Sequence, residues 1–251
     1  MILHTHECIF IHIPKAAGSS IALALDEHNK TWDEQRSGLP FLPDALNKFG
    51  PPAPHFRVSD YLKYGMVTKE EFNSYFKFSF VRNPWDRLVS EYKYRGHAMR
   101  WPFKDFLFKY FPVPSWTDEY CHIIPQYDFL YDENGRLLVD FIGKFETLQE
   151  DFNEVCRRLN LMPRELPYTN RALSVFKIRS DAGLVNKAKK VKGLLSIKQK
   201  KYTFKHYTQY YDGESKAFVA KLYQKDIEAF GYRFEGLLPH TNLRECVSAH
   251  V

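Results

Sequence analysis

The chain carries 251 residues, 44% apolar and 16% aromatic, enough for one large domain or two small ones around a sizeable core. No apolar run reaches the length of a membrane span, and the four cysteines (Cys8, Cys121, Cys156 and Cys246) form no CxxC pair, which disfavours a zinc site or a disulfide scaffold. The net charge of +6 is uneven: residues 171–205 hold eleven Lys/Arg and one acid, against 25 basic and 29 acidic residues elsewhere, which suggests a local anion site, or a solvated loop, more than a general nucleic-acid surface.

In chain order, Cys8–Ile13 is a short Ile-rich run and reads as a buried strand that ends at Pro14. Ile21–His28 reads as a helix, and the proline-rich stretch Ser37–His55 as loop. Tyr61–Tyr75 is expected to be helical in part, and the aromatic run Phe76–Val81 is a second strand. Asn83 can cap a helix whose first position suits Pro84, with Asp86 in its first turn, and that helix should reach Tyr94. Leu138–Phe145 reads as a further strand. Thr147 and Glu150 then form a capping-box pattern before Leu148, Phe152, Val155 and Leu159 at helical spacing. A last helix runs through Phe218, Leu222, Ile227 and Phe230 and stops at Gly231. Strand–turn–helix units with apolar strands predict an α/β fold, a mostly parallel sheet flanked by helices, with ligands at the carboxyl ends of the strands.

Two segments at such strand ends suit an anion. In CIFIHIPKAAGSSI, residues 8–21, a strand enters a turn of small residues and then a helix. Lys15 brings a charge, Ser19 and Ser20 bring hydroxyls, and Ala16, Ala17 and Gly18 let the backbone approach a ligand at a helix N-terminus. Lys15 precedes Gly18, so this is not the GxxxxGK[ST] loop of an ATPase, and a plain tight turn with a surface lysine remains open. In FKFSFVRNPWDRLVSEY, residues 76–92, Arg82 follows the strand and Ser90 lies on the next helix, a pair suited to phosphate. Arg87 is expected to pair with Asp86 or Glu91 at the surface.

Taken together these segments resemble the PAPS-dependent sulfotransferases (PAPS being 3'-phosphoadenosine 5'-phosphosulfate), especially the carbohydrate group. That family has a PK-T-[AG]-G-T-S-like turn and an RNP-x-x-R-x-x-S segment. The second pattern is matched from Arg82 to Ser90, and the first departs at Ala16 and Ser19. HFRVSDYLKYG, from His55 to Gly65, is similar to a segment of the heparan sulfate 2-O-sulfotransferases, and VDFIGKFETLQEDF and YQKDIEAFGYRF look like later landmarks.

The resemblance implies a P-loop-NTPase-like architecture in one domain over 1–251, with 171–205 as a basic loop or flap. It implies a sulfotransferase that moves a sulfuryl group from PAPS to a hydroxyl and leaves PAP, the 3',5'-bisphosphate of adenosine. Lys15 through Ser20 would hold the 5'-phosphosulfate, and Arg82 and Ser90 the 3'-phosphate. His55 would be the base, Lys15 would stabilise the leaving oxygen, and no metal is expected. His122 is a second base candidate that also reads as a core histidine, and Gln126 a candidate to orient a sugar hydroxyl. The expected partner is a hydroxyl acceptor such as an oligosaccharide or glycolipid, with no nucleic acid and no transmembrane segment. A complete chain beginning MILHTHECIF has no signal peptide and is expected in the cytoplasm, whereas the lumenal domain of a Golgi enzyme would carry the same signature. A nucleotide kinase or NTPase, or a nucleic-acid-binding module built on 171–205, are the rival readings.

Overall fold

The computed structural model describes residues 1–25, 55–115, 117–167 and 202–237. Its main sheet has four strands in the order β1 (Ile2–Leu3), β2 (Cys8–Ile11), β3 (Phe76–Val81) and β4 (Phe141–Lys144). Strands β2, β3 and β4 run parallel, with Phe10 beside Phe78 and Phe78 beside Phe141, while β1 is antiparallel at the edge. The fold is therefore α/β, as the alternation of strands and helices predicts.

Both faces of the sheet are covered, which is why its strands read as continuous apolar runs. Ile9, Ile11 and Val81 face a core shared with Phe56, Val58 and Phe230. Cys8, Phe10, Phe78 and Phe80 face the other, filled by Ile21 and Leu25 of α1 (Gly18–Leu25) and by Phe152, Val155 and Cys156. A third cluster joins Trp85, Leu88 and Tyr92 of the helix after β3 to Phe103, Phe106, Val219 and Tyr223. The described cysteines, Cys8, Cys121 and Cys156, are buried free thiols. Among the described residues no helix is long and apolar enough to cross a membrane.

Between β2 and β3 lie α2 (Val58–Lys63) and α3 (Lys69–Ser74), the partial helicity expected for Tyr61–Tyr75. Helix α4 (Pro84–Tyr94) has the expected bounds, with the Asn83 side chain accepting from the Trp85 amide at 3.1 Å. After it come α5 (Phe103–Lys109), α6 (Asp118–Cys121) and α7 (Tyr127–Leu130).

Five expectations are corrected. Strand β2 stops at Ile11, where Ser79 Oγ donates to the Ile11 carbonyl at 2.7 Å, and Ile13 is buried beyond the ladder. Strand β4 begins at Phe141 because Leu138 bonds back to the Leu130 carbonyl at 2.9 Å, beside a bridge between Tyr131 and Leu137. Thr147 makes no capping box: its hydroxyl donates to Asp151 at 2.6 Å, an oxygen that the Lys144 amide also uses, ahead of α8 (Leu148–Arg158). The last helical stretch is two helices, α9 (Gly213–Leu222) and α10 (Gln224–Phe230), broken at Tyr223, whose buried hydroxyl donates to the Ile123 carbonyl at 2.7 Å. The stop at Gly231 holds, in a left-handed conformation with φ of 67°, before the short hairpin of β5 (Tyr232–Arg233) and β6 (Gly236–Leu237). Helix α1 begins at Gly18, ahead of the predicted Ile21, and residues 26–28 of that prediction lie outside the described residues, as do 37–54 of the predicted loop.

Candidate active site

The turn between β2 and α1 is held in an uncommon backbone. Lys15 (φ 67°) and Ala17 (φ 69°) are both left-handed, with Ala16 between them at negative φ. Alternation of this kind gathers successive amide N–H groups into a concavity that suits an anion. It costs roughly 1–3 kcal/mol per strained residue, so the surroundings must enforce it. Two arginines from the β3–α4 unit do so. Arg87 donates from Nε to the Pro14 carbonyl at 3.0 Å, and Arg82 donates from Nη1 to the Lys15 carbonyl at 3.1 Å. Gly18 is needed for close approach, since a Cβ there would sit 1.8 Å from the His12 ring.

Arg87 corrects the sequence reading. It is buried and pairs with no acid among the described residues; besides Pro14, it donates to the carbonyls of Ile124 and His122, each at 2.9 Å. A helical-face argument sees only local partners, and these carbonyls come from distant segments. Gln126 is corrected as well. It is fully buried, its amide is spent on the Arg82 backbone at 2.8 Å in both directions, and Nε2 also lies 3.2 Å from Asp226. It therefore fixes the end of β3 and has no group free for a sugar.

Beside the strained turn is a cavity of about 570 Å³. Lys15, Ala17, Ser20, Arg82 and Ser90 line it, while Ala16, Gly18 and Ser19 do not. The Arg82 guanidinium lies 3.9 Å over the Phe145 ring and bonds Asp86 at 2.7 Å and 2.9 Å. Burial draws the Lys15 ammonium down to about 8, with Glu91 opposing and Arg82 and Arg95 adding to the effect. Lys93, absent from the sequence reading, also lines the cavity, and burial lowers its pKa too. Its signal was its place one turn after Ser90 on the same face of α4. Of the basic segment 171–205, residues 171–201 lie outside the described residues.

A second group of side chains lies past Lys15. Its Nζ sits 3.6 Å over the Tyr94 ring, and Tyr94 stacks on His122 with centroids 5.8 Å apart. His122 Nδ1 is 2.8 Å from Glu91 Oε2, and its Nε2 is 3.1 Å from His55 Nε2. Asp118 Oδ1 lies 3.3 Å from His55 Nε2 and 3.6 Å from His122 Nε2. Burial opposes the charge of Glu91, but bonds from His122 and Arg95 outweigh it and hold the carboxyl below its usual range. The His55 bond, helped by Arg95, holds Asp118 well below the usual carboxylate range. Burial, partly offset by the Asp118 bond, lowers the pKa of His55, so the neutral imidazole prevails near pH 7. His55 and His122, two separate candidates in the sequence, are thus brought into one cluster, with Glu91 as a distant partner and Asp118, one helical turn before His122, as a local one that the sequence reading did not use.

A family model described as "Sulfotransferase family" matches residues 1–233. An uncharacterized protein of Archaeoglobus fulgidus is 38% identical over 103 residues, which are 40% of this chain and 79% of that protein. No solved structure matches the chain.

Proposed function

The chain belongs to the sulfotransferase family, so it is a transferase of sulfuryl groups to hydroxyl-bearing acceptors, and on that premise we propose that its donor is PAPS and its acceptor a carbohydrate. The observation that carries the donor reading is the cavity of about 570 Å³ beside a strained turn, with Lys15, Arg82 and Lys93 on its walls. Its volume is in the range of small-molecule sites, and its cations suit a ligand with separated anionic groups. In this reading the Lys15–Ser20 turn takes the 5'-phosphosulfate, with backbone amides serving where Ala16 replaces the family's threonine. Arg82, Ser90 and Lys93 take the 3'-phosphate, and Phe145 and Leu166 offer apolar surface to the purine.

The acceptor oxygen attacks sulfur, and the new O–S bond forms as the S–O bond to the 5'-phosphate breaks. Lys15, charged below about pH 8, stabilises the leaving oxygen. The acceptor's proton goes to His55 Nε2 as the proton between the two imidazoles passes to His122 Nε2, and Asp118 and the Glu91 bond to His122 stabilise the imidazolium that results. Asp118 has a half-exposed side chain, so this is the side from which an acceptor approaches. Tyr94, exposed beside His122, offers an aromatic face to a sugar. The whole of 1–251 serves as one domain. The described ends around the basic segment support a role for its charge at the donor: Leu166 and Pro167 line the cavity, and Phe204 bonds Tyr210, whose ring faces Lys93.

Radiolabelled PAPS offered with oligosaccharides, glycolipids and small hydroxyl metabolites tests this reading. Transfer to the sugar-bearing acceptors is expected. Transfer confined to other hydroxyls would overturn the carbohydrate acceptor, and equal binding of ATP and PAP without transfer would overturn the donor.

A further inference from the structure

The three atoms that meet at the histidine cluster are all electron-pair donors. His55 Nε2, His122 Nε2 and Asp118 Oδ1 form a triangle with edges of 3.1, 3.3 and 3.6 Å. A tetrahedral ion bound at about 2.0–2.1 Å to nitrogen and carboxylate oxygen sets its ligands about 3.3–3.4 Å apart. The observed edges bracket that value. The 3.1 Å contact between the two Nε2 atoms requires one proton between them, a place that a cation can take instead. His122 also carries the outer partner that metal-bound histidines use: Glu91 Oε2, on a 2% exposed side chain, accepts a hydrogen bond from Nδ1–H at 2.8 Å and leaves the Nε2 lone pair facing the triangle. Both imidazoles are buried, while Asp118 has a 49% exposed side chain, so an ion has an entry path and room for water as a fourth ligand.

We propose that His55, His122 and Asp118 form a site for one zinc-type divalent cation, and that filling it silences the enzyme. Imidazole nitrogens favour zinc and its neighbours over magnesium or calcium. The ion takes the Nε2 lone pairs of both histidines and one Asp118 oxygen, and the proton between the imidazoles leaves to solvent. The silencing rests on the reading of His55 as the base, because one lone pair cannot hold a metal and receive the acceptor's proton. The binding itself does not rest on that reading. Asp118 and His122 stand one helical turn apart, but His55 comes from a separate segment, so spacing alone does not assemble the site.

Chelator-treated protein titrated with cobalt(II), then with zinc in competition, tests the site. The expected result is one equivalent of cobalt with the intense visible bands of tetrahedral coordination, displaced by zinc. Asp118→Asn and His122→Ala should each weaken binding at least ~10-fold. His4→Ala, an exposed histidine outside the cluster, should leave binding unchanged. Asp118→Asn alters a half-exposed side chain, so it remains informative if the buried His122→Ala variant does not fold. Weak six-coordinate bands, or affinity unchanged in Asp118→Asn, would overturn the site. Turnover with labelled PAPS should vanish on zinc loading and return with EDTA, with PAP affinity constant. Tetrahedral binding with full turnover would overturn the silencing and the role of His55 as base, leaving the metal site standing.

Discussion

The cavity and the histidine cluster lie on either side of Lys15 and Tyr94, and they are built in opposite ways. The cavity takes its polar lining mainly from two short stretches, 15–20 and 82–93, and its three cations have Asp86 and Glu146 as the acids in the lining. The cluster joins three segments, His55, the turn with Asp118 and His122, and the turn with Glu91 and Arg95, and satisfies its charge internally, with Glu91 and Asp118 against Arg95 and the imidazoles. One end is short of negative charge and suits an anionic ligand; the other is balanced and suits proton transfer. Arg87 joins them, since its guanidinium bonds Pro14 before the anion turn and His122 in the cluster. If the division is correct, donor binding and chemistry come apart under mutation.

The sharpest separation is expected from His55→Ala, which should keep PAP affinity and lose turnover by about 10²–10⁴-fold, as loss of a general base does. Calorimetry and labelled-donor kinetics on the same preparation measure both. Parallel losses of affinity and turnover would erase the distinction between the two ends. Arg87→Met probes the joint instead. It strands three buried carbonyls at roughly 1–3 kcal/mol each, so urea unfolding should show a loss of at least ~3 kcal/mol. A loss under about 1 kcal/mol would mean that the turn and the cluster hold their shapes without this brace.

A smaller and graded effect is expected from pH. Lys15 is drawn to about 8 in the free protein, and a bound anion favours its charged form and raises that value. Affinity for PAP should therefore hold below about pH 8 and decline as pH rises through it, because binding then requires proton uptake. Lys15→Arg, charged throughout, should flatten this profile. A flat profile in the wild type would remove Lys15 from the donor site.

The same contrast explains what was legible in the sequence. Strand β3 and helix α4 were readable to their ends because their signals are local: an apolar run, a capping asparagine and a proline at the first helical position. The anion turn was readable for the same reason. The left-handed backbone at Lys15 and Ala17 was not, since neither is glycine and distant arginines impose it. Thr147 and Glu150 met the capping-box pattern, yet Asp151 won the hydroxyl because it also receives the Lys144 amide. The break at Tyr223 depends on a carbonyl a hundred residues away, at Ile123. His55 and His122 were each visible, but their meeting across 67 residues was not, and Glu91, 31 residues from His122, was missed with it, whereas Asp118 had a local i, i+4 spacing to His122 that went unused. Interactions that close over long separations leave no periodic trace.

The central claim, that the cavity holds the 3',5'-bisphosphate of a PAPS donor, is tested most directly by calorimetry with PAP and with AMP, which lacks the 3'-phosphate. Wild-type protein should bind PAP more tightly than AMP. Arg82→Ala should weaken PAP by roughly 1.5–3 kcal/mol, as loss of a charged hydrogen-bonding partner does, and leave AMP nearly unchanged. Equal affinity for PAP and AMP in the wild type, or an equal loss for both in Arg82→Ala, would contradict it.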